Sequence, residues 1–252
     1  MDDSAPVLIQ LVQNIYRQGK NQNEILAAVV EKIENGLATY EDANKYAAEL
    51  GEILAKAYGS IKEEMLPDGR MYYNIAQRLV NSTLQQGYND IADVTEAIQK
   101  LLNEDAGIGI IAIRPVIDND RIVGIIDQIA ENDDFLSMIN FLIAASKNFI
   151  QHQVDESVHQ NAEFQSNAGM SPKIVRKAPW KCCEWCSRLV GTYSYPDGVP
   201  QDIYRRHKNC RCTVEYLPKS GKVQNVHTKK WHDETKENEL LERKNWLLEQ
   251  IR

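Results

Sequence analysis

The 252-residue chain lacks the marks of a secreted or membrane protein. Residues 1–20, MDDSAPVLIQLVQNIYRQGK, carry no basic leader and no unbroken apolar stretch, so we expect no signal peptide. Its two most apolar runs, GIGIIAIRPVI and FLSMINFLIAAS, fall far short of the ~20 residues that span a bilayer. Also missing are a Gly-rich phosphate loop, a GxSxG elbow, an evident carboxylate triad, any internal repeat and any low-complexity tract. A soluble chain made in the cytosol is the expectation. Cysteine is scarce, at five residues, yet all five lie between Lys181 and Tyr216 in the order CxxC…HxxCxC. Cytosolic thiols stay reduced, so such a cluster reads as metal ligands before disulfides.

What is present is ordinary in amount and uneven in placement. Hydrophobic residues make up 43% and charged residues 26%, enough for one large domain or two small ones. Residues 171–252 hold 17 Lys and Arg against 10 Asp and Glu, leaving 12 against 26 in residues 1–170. The sequence therefore reads as an acidic body followed by a basic C-terminal part. Acidic helices also solvate well whatever they bind, so the split alone names no partner.

Helical periodicity dominates the first two thirds. APVLIQLVQNIYRQG predicts a helix stopping near Gly19, and NQNEILAAVVEKIENG a second one, capped by Asn21 or Asn23 and closed by Gly36. A third is expected over 40–66, then one or two across RMYYNIAQ…KLLNED. AGIGIIAIRPVIDND fits a buried strand or a packed loop, because Pro115 forbids a continuous helix. Residues 133–168 predict a long helix, apolar in its first half and polar in its second, as a buried stem emerging into solvent would be. Beyond it SPKIVRKAPW, GTYSY and CTVEYL alternate like strands, with PDGVP as turn chemistry. The last segment, WHDETKENELLERKNWLLEQIR, reads as an amphipathic helix.

The cysteine window specifies chemistry. Structural zinc takes four ligands in a tetrahedron, and a CxxC turn delivers two thiolates from one knuckle. Cys183 and Cys186 meet that requirement, and the second pair must come from His207, Cys210 and Cys212. Two residues apart on an extended strand, Cys210 and Cys212 would face opposite sides, so only one would join His207. If the segment kinks, both thiols bind and His207 becomes a supporting or surface residue. We favour Cys183, Cys186, His207 and one of Cys210 and Cys212. Cys182 reads as a spare, and Trp180 and Trp185 as covers over the metal. Inert packing, a redox CxxC and structural disulfides compete with this reading; the Pro/Gly turns and the returning CxC speak against the redox motif. Arg205, Arg206, Lys208 and Arg211 place four cations around the ligands, suited to phosphate contact or simply to offsetting thiolate charge. His152 and His159, seven apart, read as solvated helix residues.

The ordered set W-x-x-C-E-W-C-x-x-L-x-G…H-K-N-C-R-C-T-V resembles the signature of the Mu F-type phage head-morphogenesis domain, found in minor capsid proteins of tailed bacteriophages. The resemblance covers about residues 135–217, running through Gly169, Trp180, Cys183, Cys186, Leu189, Gly191 and His207 to Cys212. Glu184 and Lys208 stand where the family often has proline, and residues 1–130 match nothing in it. The resemblance implies a structural protein of the phage head with no catalytic residue. It would associate with portal, capsid or scaffold proteins, and be carried in the head interior of the virion after assembly in the host cytoplasm. Packaged DNA is a further partner it suggests, contacted without sequence preference, while no membrane and no small-molecule substrate are expected. With about 35 residues after the motif, we expect no C-terminal toxin domain of the kind some relatives carry. A zinc-dependent nucleic-acid-binding protein or an HNH-like nuclease, for which His207 and Asn209 are suggestive, is the alternative. The expected fold is mainly α with a small β-rich zinc-binding module (α+β). We divide it as 1–132, an acidic helical region, 133–217, the Mu F-like domain, and 218–252, the terminal helix.

Overall fold

A computed structural model describes residues 4–218. They form a mostly helical protein with one three-stranded antiparallel sheet near its C-terminal end. The expected terminal helix over residues 219–252 lies outside the described residues. Among the described residues no helix is long and apolar enough to cross a membrane.

Six helices carry the body: α1 (Ala5–Gln22), α2 (Glu24–Glu34), α3 (Tyr40–Tyr58), α4 (Tyr73–Asp105), α5 (Asn119–Ala130) and α6 (Phe135–Asn167). Asn23 separates the first two and caps α2, its side chain accepting from the amides of Ile25 and Leu26. Helix α1 runs through Gly19, where a stop was expected. A Cβ at that position would lie 2.7 Å from Ile53 Cγ2, so the glycine serves close packing of α1 on α3. Helix α3 starts with a Thr39–Asp42 capping box and ends at Tyr58, earlier than the periodicity suggested. Irregular chain follows, with Asp68 in the left-handed region. Gly87 does not divide α4; it admits Ile150 of α6, whose Cδ1 would stand 2.5 Å from an added Cβ.

Helix α6 departs most from expectation. Its polar half does not emerge into solvent: Gln153, Asp155, Ser157, Asn161 and Gln165 are all buried. Apart from Gln153, whose Nε2 donates to the Phe149 carbonyl while its Oε1 has no protein partner, they are taken up by hydrogen bonding, as buried polar groups generally are. Ser157 meets the Tyr40 hydroxyl at 3.0 Å, Gln165 donates to Asn103 at 2.8 Å, and Tyr216 donates to Gln165. Asn161 accepts from the Ile113 amide and donates to the Ile113 carbonyl, both at 2.8 Å. The Ile-rich run after α4 is therefore an extended loop pinned along α6 rather than a sheet strand. Replacing Asn161 with alanine strands both backbone groups; we expect a loss of about 2 kcal/mol in urea unfolding and faster hydrogen exchange at the Ile113 amide.

The sheet has the order β2-β1-β3, with β1 (Lys173–Lys177), β2 (Gly191–Ser194) and β3 (Thr213–Leu217). Alternation puts Ile174 and Arg176 of β1 on the buried face, with Ile174 opposite Tyr193 and Tyr216, and Arg176 opposite Gly191 and Val214. Strand β3 lies against α3 and α6, where Asn44 donates to the Val214 carbonyl at 3.1 Å. Leu8, Leu50, Phe149, Val158, Ile174 and Tyr216 belong to one apolar core. The core thus passes across residues 132 and 133 without a break.

Candidate metal centre

The cysteines sit beyond the sheet as a small cluster of their own. After β1, Cys183 becomes the N-cap of a short helix, α7 (Glu184–Arg188), and its Sγ accepts from the Cys186 amide at 3.4 Å. This places the two thiols of the CxxC on one side of the turn. The chain returns through Ile203 to His207 and then turns at Asn209, whose φ is +59°. The Cys210 amide donates to the His207 carbonyl at 3.1 Å across that turn. Strand β3 begins only at Thr213, so Cys210 and Cys212 precede the sheet, and their sulfurs lie together rather than on opposite sides.

The kink gathers every candidate. Cys186, Cys210 and Cys212 lie within 4.8 Å of one another, as do Cys183, Cys186 and His207. Cys186 belongs to both triads. His207 is not released by the kink: its Nε2 stands 3.3 Å from Cys183 Sγ and 3.1 Å from Cys186 Sγ. Its Nδ1 donates to the Lys208 carbonyl at 2.7 Å, which fixes the tautomer and leaves Nε2 as a donor to a metal. Cys186 and Cys210 are 3.8 Å apart. A tetrahedron with metal–sulfur bonds of about 2.3 Å has sulfur–sulfur edges of about 3.8 Å, so these donors fit a four-coordinate ion. This cysteine and histidine cluster can hold a metal ion.

Electrostatics divide the thiols, and burial pushes Cys186 up. A hydrogen bond from the Cys212 thiol, with Arg206 nearby, holds Cys210 far below the ordinary thiol value, at about 4, while Cys212 is pushed up in return. The Cys186 amide lowers Cys183. Two buried arginines stand behind the cluster. Arg206, with 2% of its side chain exposed, forms a forked ion pair with the fully buried Asp155 of α6. Arg176 donates to the carbonyls of Ile203 and Arg205, reaches Cys210 Sγ at 4.0 Å and lies 5.5 Å from the Trp185 ring. No carboxylate pairs with Arg176 among the described residues.

Other expected residues fall differently. Trp180 covers nothing, with 98% of its surface exposed; Trp185 is the aromatic wall, edge-on to His207. Cys182 packs at the cluster's margin, outside both triads. Of the four cations, Arg206 is an interior residue and Arg205 pairs with Asp202 at 2.9 Å. Lys208 and Arg211 are exposed. Asp155, Arg176 and Asn148, which donates to the His207 carbonyl at 3.1 Å, were not foreseen. Only Arg176 had a legible signal, an arginine in phase with the inward Ile174 of an alternating strand.

His152 is mostly buried against Asp155 and Glu156, not solvated, and burial lowers its pKa. His159 stacks on Tyr204 with ring centroids 4.5 Å apart. Hydrogen bonding between His159 and Glu156 raises the imidazole and lowers the carboxylate. That pair contributes fully between about pH 4.5 and 6.5; it fades as pH rises through the raised His159 value or falls through the lowered Glu156 value. In Glu156→Gln, an NMR titration should find the His159 midpoint moved down.

Fold and cluster together define a mostly helical protein with a cysteine–histidine cluster, able to hold a metal ion, joined to one end of its sheet. No family model, curated protein or solved structure matches the chain.

Proposed function

We propose that the chain is a non-catalytic assembly protein, a minor head protein of a tailed phage, whose zinc-clipped module fixes a docking surface for portal or capsid partners. The observation that carries the metal part is the meeting of four thiols and one imidazole from two distant segments, with a sulfur–sulfur spacing suited to a tetrahedral ion. The phage assignment rests on the ordered motif from Trp180 to Val214 and on nothing finer.

Charge balance supports zinc with three thiolates and His207. Arg206 and Asp155 neutralise each other, so Arg176 leaves one uncompensated buried charge. Zn²⁺ with three thiolates carries a net −1, which Arg176 offsets; four thiolates would leave a negative surplus. Zinc would then supply folding energy to a module with only a small apolar cluster of its own. The nuclease reading is weaker, because the Nε2 of His207 faces two thiols, the position of a metal ligand rather than of a general base.

Elemental analysis of the purified chain tests the metal: about one zinc per chain is expected. For the function, mass spectrometry of purified particles from the host that carries the gene should find the chain in phage heads. Its presence in uninfected cells alone, absent from particles, would sink the head-protein reading.

A further inference from the structure

A second site lies where α5, α6 and the turn after His207 meet. A cavity of about 190 Å³ opens there, floored by Ile125, Phe141 and Ala145 and rimmed by Arg121, Asn148 and Lys208. Its two cations lack acidic partners. Lys208 is exposed, and neither it nor Arg121 has a carboxylate within ion-pair distance among the described residues. The acids near Arg121 are engaged elsewhere. Asp155 is forked by Arg206; Asp118 accepts the Arg121 amide as helix cap; Glu156 is shared among His152, His159 and Gln160. Burial disfavours the Arg121 charge, while Asp118 and Asp155 favour it without reaching ion-pair distance.

Size and hydrogen bonding narrow the ligand. A cavity of about 150 Å³ holds one benzene, whereas pockets for larger ligands run from about 300 Å³ upward, so this one admits a single apolar group and not a nucleotide. Asn148 spends its Nδ2 on the His207 carbonyl, which leaves Oδ1 without a protein donor. We infer that this pocket binds the C-terminal residue of a partner polypeptide. The carboxylate is taken by Arg121 and Lys208, an apolar side chain rests on Ile125 and Phe141, and the last amide N–H donates to Asn148 Oδ1. Arginine suits a carboxylate because its planar fork matches both oxygens. The site stands on α5 and α6 and does not depend on the identity of the metal or on the phage assignment.

The test is an NMR titration of the full, metal-replete chain with four probes: N-acetyl-L-leucine, its neutral amide, hexanoate and inorganic phosphate. N-acetyl-L-leucine should bind with shifts confined to α5, α6 and Lys208, and the neutral amide about tenfold more weakly. Hexanoate, which lacks the amide N–H, should bind more weakly by a smaller factor. Arg121→Gln should lower affinity about tenfold. Lys208→Gln, an exposed position that folding does not need, should lower it severalfold with metal content unchanged. Phosphate or hexanoate binding as tightly as N-acetyl-L-leucine, an equally tight neutral amide, or no saturable shift would each overturn the inference.

Discussion

In Cys186→Ser, bound metal should fall to none and the segment from Ala178 to Cys212 should become open to protease. Cys186 is the thiol common to both triads, fully enclosed and in contact with His207 on one side and Cys210 on the other. A serine hydroxyl is a poor ligand for a soft site, and no other thiol lies between the two halves. Structural zinc sites in small modules contribute on the order of 10 kcal/mol of folding free energy, so the loss should unfold the module rather than loosen it. Most of the helical body should survive, because Ile203 is the one residue of that segment among the buried members of its core; far-ultraviolet circular dichroism should keep most of its helical signal. Cys182→Ser and Trp180→Ala are the matched controls, outside both triads and on the open surface respectively, and both should retain the metal. Full metal content and an intact module in Cys186→Ser would remove the centre as described.

The second large effect is expected from Arg206→Met. The guanidinium and Asp155 are both buried and doubly hydrogen-bonded, and Gln151 accepts a further bond from Arg206 at 3.1 Å. Removing one member of such a pair leaves an uncompensated interior charge, at a cost of about 3–5 kcal/mol. Urea unfolding should show it as a lower midpoint. Arg206→Met combined with Asp155→Leu should recover most of that loss, since an apolar pair of similar volume avoids the desolvation the ions undergo. A single-variant cost below about 1 kcal/mol, the range of exposed pairs, would mean that water reaches the two side chains.

The helical class and the place of the sheet were legible because each rests on a local pattern. The periodicity of α1 and α2, the Asn23 cap and the alternation of KIVRK and CTVEYL each speak within a few residues. The residues of the cluster were legible too, since thiols cluster by sequence. Their arrangement was not: where the chain turns between His207 and Cys210 depends on one left-handed residue, Asn209, which composition does not announce. The polar half of α6 misled for a related reason. Asp155, Asn161 and Gln165 look solvated when read alone, and only their partners, up to about 60 residues away in sequence, make them interior. Arg206 shows the same limit, counted as a surface cation until Asp155 is placed beside it.

Helix α6 also sets a fixed measure inside the molecule. Its 33 residues contain neither proline nor glycine, so nothing in the sequence offers a hinge, and at 1.5 Å per residue it is about 50 Å long. Its middle carries the metal-centre segment through Asn148 and Asp155, and its C-terminal part joins α4 and the sheet through Gln165. A partner that grips both ends therefore meets a rod of set length and set pitch. A tilt of the rod carries the turn at His207 with it, through Asn148 and Asp155.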